Sequence, residues 1–351
     1  MAEIIFLEGV SGVGKSTMCE SIRKYFEKHY CRVRTYLEFD FTNPIDFYCT
    51  AYLSLDEYAE ILFKYPDQKE RILRYTHWAD DARLVRYYDE DTPLFKGELL
   101  ACLSEHEFCY NPTHPVPFEM YSRAYLNVWK HFAETLSDEY DFLIFDGSLI
   151  HHPINDMMRN YSVSFEQANA HVRMLLESLG NTRTYVFYLE TDDHPALLKK
   201  VHADRGQKPP TQEQIAFWKK RHDFDRKILQ KLNTDTHVLN ISDGKWKEAE
   251  EYIIRETAFD TEYDLKCVYD RVRYLVTVRW SESMKEDDGF TSNFPIIAGR
   301  ANGRVFWLYT DGYFVFSYEK DGCENMHWHT HPQSIDEAVE LILEFSKKHE
   351  V

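Results

Sequence analysis

An α/β fold, a five-stranded parallel sheet with helices on both faces, is predicted by three observations. Short apolar runs recur with helical stretches between them, the pattern of strands joined by crossover helices. The first run, Ile4-Ile5-Phe6-Leu7, leads into Gly9-Val10-Ser11-Gly12-Val13-Gly14-Lys15-Ser16-Thr17. That stretch fits G-x-x-x-x-G-K-[ST], a loop whose amides cradle phosphates. Third, the loop opens a helical pattern with Met18, Cys19, Ile22 and Phe26 on related faces. Strand, loop and helix in this order form the context the motif requires, so the sheet is read as that of a P-loop NTPase.

The remaining strands follow in order. Val33 to Phe39 is the second, Tyr140 to Asp146 the third, Thr184 to Leu189 the fourth and His237 to Ile241 the fifth. Ligands of such sheets bind at the carboxyl ends of the strands. Residues 45–135 hold no clear strand and are rich in Tyr, Phe and Trp with acids between them. They read as a helical, acceptor-binding insertion, with amphipathic pieces at Leu55 to Phe63 and Tyr121 to Leu136. The loop Tyr110 to Phe118 carries three prolines and is expected to be extended.

Near residue 260 the pattern changes. Tyr274 to Trp280, Arg304 to Tyr309 and Tyr313 to Tyr318 are strand-like, and Thr310-Asp311-Gly312 reads as a hairpin turn. A helix from Ile335 to Phe345 follows, with Ser334 and Glu337 in a capping-box spacing. The expected domains are therefore 1–260, with the insertion at 45–135 and a lid at 195–225, and a small α+β domain at 262–351.

Composition narrows the function classes. The 351 residues carry a formal net charge of −18 and are 44% hydrophobic, and mean hydropathy is −0.53. An acidic chain is a poor general nucleic-acid binder, because neutralising phosphates needs basic surface. The same charge would suit a cationic substrate. Seven cysteines without a C-x-x-C pair read as reduced thiols rather than a disulfide framework. With no basic n-region and apolar core at the start, and no run near 18 apolar residues, a cytoplasmic protein without a membrane span is expected.

The chemistry is read from strand ends. In the loop, the amides of Gly9, Ser11, Gly12, Val13, Gly14, Lys15, Ser16 and Thr17 are expected to wrap the polyphosphate of ATP. Lys15 would reach the β- and γ-phosphates and Ser16 would ligate Mg²⁺. Asp146 closes the third strand, the place from which a carboxylate orients Mg²⁺. Glu38 and Asp40 follow the second strand; period two places them on one face. Glu38 is the first candidate to accept a proton from an acceptor hydroxyl, with Asp40 next.

The run Phe6-Leu7-Glu8-Gly9 through Thr17 resembles the opening of deoxynucleoside kinases and thymidylate kinases. In deoxynucleoside kinases a Glu-Pro pair after the second strand supplies the base; Glu38 holds the comparable place, although Pro44 comes later. Those kinases carry Glu-Arg-Ser after the third strand, followed by a helix ending in basic residues. Asp146-Gly147-Ser148, then Met157-Met158-Arg159-Asn160, is similar in layout, but Gly147 replaces the arginine. The missing cation must then come from elsewhere, such as Arg159, or the acceptor differs. The resemblance covers roughly residues 1–50 and 140–245 and implies a nucleoside or nucleotide acceptor. It also implies a lid over Lys199 to Lys208 that delivers a cation to the transferring group. Arg205 is the first choice, with Lys208 and Arg221 in reserve. Adenine would rest near Ser242 to Trp246.

Tyr48, Tyr52, Trp78, Tyr121 and Trp129 are candidates to stack a base, or core residues. Arg83 and Arg123 could hold a phosphate or pair with local acids. His327, His329 and His331 share one face if they lie on a strand. Neighbours on such a face stand about 7 Å apart, wide for one Zn²⁺, so a surface or partner contact is the preferred reading.

Three activities fit. The first is an ATP-dependent small-molecule kinase acting on a nucleoside or nucleotide. The second keeps the chemistry on an antibiotic or other non-nucleoside, cationic acceptor. The third is a nucleotide-dependent switch or toxin-like regulator. In each, residues 262–351 would serve a homodimer or a protein partner. The choice of ATP over GTP and the acceptor's identity are left open by the residues.

Overall fold

The first strand, β1 (Glu3–Gly9), is buried along its whole length, as expected of a central parallel strand covered on both faces. A computed structural model describes residues 2–28, 31–89, 92–112, 116–137, 139–242, 244–257, 262–281, 284–285, 291–292, 296–301, 304–309, 314–320, 323–330, 332 and 335–347. The chain divides into two compact units. One holds 1–20, 34–138 and 143–242; the other holds 21–33, 139–142 and 243–351.

From the first unit, β1 leads through the glycine loop to α1 (Lys15–Lys28), whose residues from Ser21 on belong to the second unit. Next come β2 (Val33–Tyr36), β3 (Thr50–Ser54), α2 (Leu55–Lys64), α3 (Lys69–Arg74), β4 (Thr76–Trp78) and β5 (Ala82–Arg86). A short ladder of β6 (Tyr88–Asp89) with β7 (Thr92–Pro93) precedes α4 (Gly97–Glu105) and α5 (Phe118–Thr135). Then follow β8 (Phe142–Asp146), α6 (His151–Asn160), α7 (Phe165–Ser178), β9 (Thr184–Glu190), α8 (His194–Asp204), α9 (Gln212–Leu229) and β10 (Asp235–Asn240).

The main sheet is parallel and five-stranded, ordered β10-β9-β1-β8-β2. Its register on one side runs from Ile4 opposite Thr184 to Gly9 opposite Leu189. On the other side the Gly147 amide reaches the Leu7 carbonyl at 2.9 Å. Chain order reverses across β1, with the third strand on one flank and the fourth on the other, so the glycine loop leaves the sheet at its switch point. Aromatic rings fill the space beside β1: Phe6 stacks on Trp129 and on Phe145, at 5.6 and 5.4 Å.

Three expectations are corrected. The second strand ends at Tyr36, not Phe39. Leu37 to Asp40 form a turn closed by Asp40 N–H on the Leu37 carbonyl at 3.0 Å, and Phe39 has φ of 66°. Glu38 and Asp40 therefore do not share a strand face. Residues 45–135 are not purely helical: β3, β5 and β4 form an antiparallel sheet, with Ala51, Leu53 and Val85 packed on Tyr58, Ile61 and Ile72. Five-residue buried strands show no alternation to mark them off from helix. Third, Tyr274 to Trp280 is not one strand; the strand there starts at Val278. Ser54 does cap α2 through a capping box with Glu57. Of the loop Tyr110 to Phe118, residues 113–115 lie outside the described ones.

The second unit contains α10 (Trp246–Thr257), α11 (Glu262–Val272), β11 (Val278–Ser281), β12 (Met284–Lys285), β13 (Thr291–Ser292), β14 (Ile296–Ala301), β15 (Arg304–Tyr309), β16 (Phe314–Lys320), β17 (Cys323–Thr330) and α12 (Ile335–Lys347). An antiparallel sheet, ordered β11-β14-β15-β16-β17, packs its apolar residues against two helices. Leu265, Val268 and Val272 of α11 and Ala338, Ile342 and Phe345 of α12 meet Ile297, Phe306, Leu308 and Phe314. Gly299 leaves room for the Phe306 ring, which a Cβ would meet at 2.1 Å. His327 and His329 lie on β17, opposite Ser317 and Val315. Their side chains, His331, the Thr310–Gly312 turn and the Ser334 cap lie outside the described residues. Among the described residues, no helix is long and apolar enough to cross a membrane.

Candidate active site

The glycine loop is shaped by what surrounds it. Gly9 has φ of 140°, and a Cβ there would stand 2.5 Å from the Leu189 carbonyl oxygen. Gly12 and Gly14 also have positive φ, 87° and 86°, a region that L side chains rarely adopt. A Cβ on Gly12 would touch Val201 of α8 at 3.2 Å. His194, at the start of the same helix, hydrogen-bonds the Ser11 carbonyl at 2.9 Å. Loop and α8 are thus packed together. Past Gly14, α1 begins at Lys15, and the first amides of a helix have no intrahelical acceptor.

Asp146 ends β8 fully inside, 1% exposed. Its Oδ2 accepts the Ser16 hydroxyl at 2.5 Å. Its Oδ1 has no hydrogen-bond partner among the described residues. A buried carboxylate oxygen without a partner is costly, and a hydroxyl and a carboxylate side by side are the oxygen donors that Mg²⁺ takes. These residues therefore fit Mg²⁺ carried by a nucleotide: Ser16 and Asp146 would hold it, and it would neutralise charge on the phosphates.

The turn after β8 is braced from below by Glu8, a residue that the motif reading passed over. Its two oxygens accept the amides of Leu149 and His151, at 2.9 and 2.7 Å. Burial pushes its carboxyl up to about 7, against the pull of these amides and of Lys15. The turn also explains the missing arginine. Gly147 has φ of 74°, and a Cβ there would meet His151 Cβ at 3.0 Å and Lys15 Cε at 3.3 Å. A long side chain at this position has neither the backbone conformation nor the space.

The first turn of α6 brings two further residues that were not singled out, His151 and His152. His152 Nδ1 donates to Asp46 at 2.5 Å, and both side chains are buried. Burial opposes the charged ring, but Asp46, with Glu38 and Asp146 beyond it, outweighs this and raises the His152 pKa. His151 is driven the other way, well below its ordinary value, by burial and then by Lys15 and Arg221. Its ring stacks on Trp218 of α9 at 5.7 Å. Glu38, exposed in its turn, offers an oxygen within 4.8 Å of a nitrogen of each histidine. Asp40 is committed elsewhere: it accepts from Thr42 N and pairs with Arg34 at 3.0 Å.

The other candidates separate by position. Tyr48 lies against His152 at 5.2 Å and stacks on Tyr110, so it lines the site. Trp129 and Tyr121 are core, and Tyr52 stacks on Phe108. Trp78 carries Arg83 over its ring at 4.1 Å, and Arg123 pairs with Asp81. A buried cation not foreseen, Arg86, donates to the Asn43 carbonyl at 3.3 Å. Arg159 stands over the Phe217 ring at 4.6 Å and donates to Asn155. Arg221 is removed from phosphate duty. It is fully buried and donates to Asp225 and to the carbonyls of His151 and Ile150 at 2.7, 3.1 and 2.9 Å. Arg205 follows α8 and is exposed, one turn beyond Val201; Lys208 is exposed too. Ser242 receives the Asp192 amide at 2.8 Å, and residue 243 lies outside the described ones.

The sequence matches no family model and no curated protein. Solved structures show similarity, two of them as follows. Shikimate kinase from Bacteroides thetaiotaomicron is 10% identical with a TM-score of 0.29, over 72% of this chain and 97% of that one. The YGR205w protein is 14% identical with a TM-score of 0.31, over 68% of this chain and 85% of that one. At these values the fold is carried by the sheet order and the glycine loop, not by the matches.

Proposed function

We propose that this chain is an ATP-dependent small-molecule kinase that moves the γ-phosphoryl group to a hydroxyl or phosphate of a nucleoside or nucleotide. The observation that carries the reading is the hydrogen bond from the exposed Ser16 to the buried Asp146, with Asp146 Oδ1 left open. It joins the glycine loop to the end of the neighbouring strand, where a phosphate-bound cation belongs. The amides of Gly9 to Thr17 grip the polyphosphate and Lys15 reaches its end. Glu38 accepts the acceptor's proton, and Arg205 closes over the equatorial oxygens. Catalysis is then mostly positioning and charge stabilisation.

A second reading keeps the reaction and changes the acceptor to a cationic non-nucleoside. It draws on Gly147, whose geometry denies the site an arginine, and on the carboxylates of Glu38 and Asp46 around His152. ADP release with ATP–Mg²⁺, measured across nucleosides, nucleotides and aminoglycosides, tests both. Turnover with one class names the acceptor. Nucleotide binding without acceptor-stimulated release by any class overturns the kinase reading in favour of a nucleotide-dependent switch.

A further inference from the structure

We propose that His151, His152 and Glu38 form a binding site for a divalent transition-metal ion, separate from the Mg²⁺ that accompanies the nucleotide. The three side chains bring one ligand atom each within 4.8 Å of one another. Around an ion with bonds of about 2.0–2.1 Å, tetrahedral ligands stand about 3.4 Å apart. Glu38, exposed in its turn, is the one ligand of the three with room to rotate toward an ion.

Two further observations point to an ion rather than to chance proximity. His151 Nδ1 and His152 Nε2 are both buried and without hydrogen-bond partners among the described residues. Two bare buried polar atoms on rings whose centroids stand 5.4 Å apart are costly unless something satisfies them. The second is the Asp46 carboxylate on His152 Nδ1. An ionised carboxylate only accepts, so Nδ1 keeps its proton and the neutral ring presents its lone pair at Nε2. A carboxylate behind a ligating histidine is the usual way a metal-binding ring is aimed and made more basic.

The surrounding charges pull in both directions. Lys15 and Arg221 act on His151 against a cation. Asp46, Glu38 and Asp146 act on His152 in its favour. Two imidazoles and one carboxylate suit Zn²⁺, Co²⁺ or Fe²⁺ far better than Mg²⁺, and they leave one position open. Glu38 has a second oxygen free to face the acceptor. The inference stands on these side chains alone and does not depend on the kinase reading.

The test uses the full chain, stripped with a chelator, without nucleotide or Mg²⁺. Zn²⁺ is titrated by calorimetry, and Co²⁺ is followed by its visible absorption. One tight equivalent is expected, with a tetrahedral or five-coordinate Co²⁺ spectrum. His151→Ala and His152→Ala should each weaken it about 100-fold or more, and Asp46→Asn by about 10–100-fold. Glu38→Gln, at an exposed position, keeps the test available if the histidine variants do not fold, and should weaken binding at least about tenfold. Lys15→Ala should retain the equivalent although it removes nucleotide turnover. Absence of a tight equivalent, unchanged affinity in Glu38→Gln and Asp46→Asn, or loss of the equivalent on replacing His327, His329 and His331 would each overturn the proposal.

Discussion

Glu8 makes the stability of this protein depend on pH in a direction opposite to that of ordinary acids. Its folded pKa is about 7 against 4.5 for the free group, because burial outweighs the two amides that it accepts. A carboxyl whose folded pKa is raised contributes stability that is complete below its unfolded pKa and is lost as pH rises through the folded one. Between pH 5.5 and pH 8 the two values give a loss of about 2 kcal/mol from this residue. Glu8→Gln removes the titration. It also costs something at every pH, since an amide group accepts at one oxygen where Glu8 accepts at two. The quantity to measure is therefore a double difference: urea unfolding of wild type and Glu8→Gln at both pH values, followed by the fluorescence of tryptophans such as the buried Trp129. Wild type should lose about 2 kcal/mol more than the variant on going to pH 8. Equal losses in the two proteins would refute the reasoning, as would a larger loss in the variant.

Five other outcomes follow from the same geometry. Lys15→Ala should lower turnover by about 100-fold or more while the far-ultraviolet circular dichroism stays that of wild type; wild-type rates would remove the phosphate loop from the chemistry. Glu38→Gln should lower kcat by about 100-fold with a smaller change in acceptor KM, and an unchanged kcat would move the base to another group. Arg221→Met, which leaves Asp225 buried and unpaired, should cost about 3–5 kcal/mol in chemical denaturation. Arg205→Ala should leave stability within about 0.5 kcal/mol and lower kcat instead. Gly147→Ala, at φ of 74° and against His151 and Lys15, should cost about 1–2 kcal/mol, read as a fall in melting temperature.

The sheet was legible because its strands are apolar runs that end in chemically distinctive residues. Gly9 and Asp146 mark the ends of neighbouring strands, and Ser16 and Asp146, each read as serving Mg²⁺, stand in hydrogen-bond contact. Local conformation against type was not legible. Phe39 in the left-handed region ends β2 early, and no pattern of residue types announces a phenylalanine there. Nor was the antiparallel sheet inside 45–135, whose strands β3 and β5 are too short and too buried to alternate. His151 and His152 are the instructive omission. They follow the third strand closely, where ligands belong, but what makes them unusual is Asp46, 106 positions away. The conspicuous run at His327 drew attention because it was local. Arg221 failed as a phosphate candidate for a related reason: its partners, Ile150 and His151, are distant in the chain.

The clamp made by Arg221 has a mechanical consequence. With α9 bolted to the carbonyls of Ile150 and His151, and α8 seated on the glycine loop through His194 and Val201, neither helix is at liberty to swing. Freedom to move is left to the short tether at 205–211 between them. Arg205 sits at the root of that tether, so its reach is governed by a few backbone torsions rather than by the displacement of a whole domain.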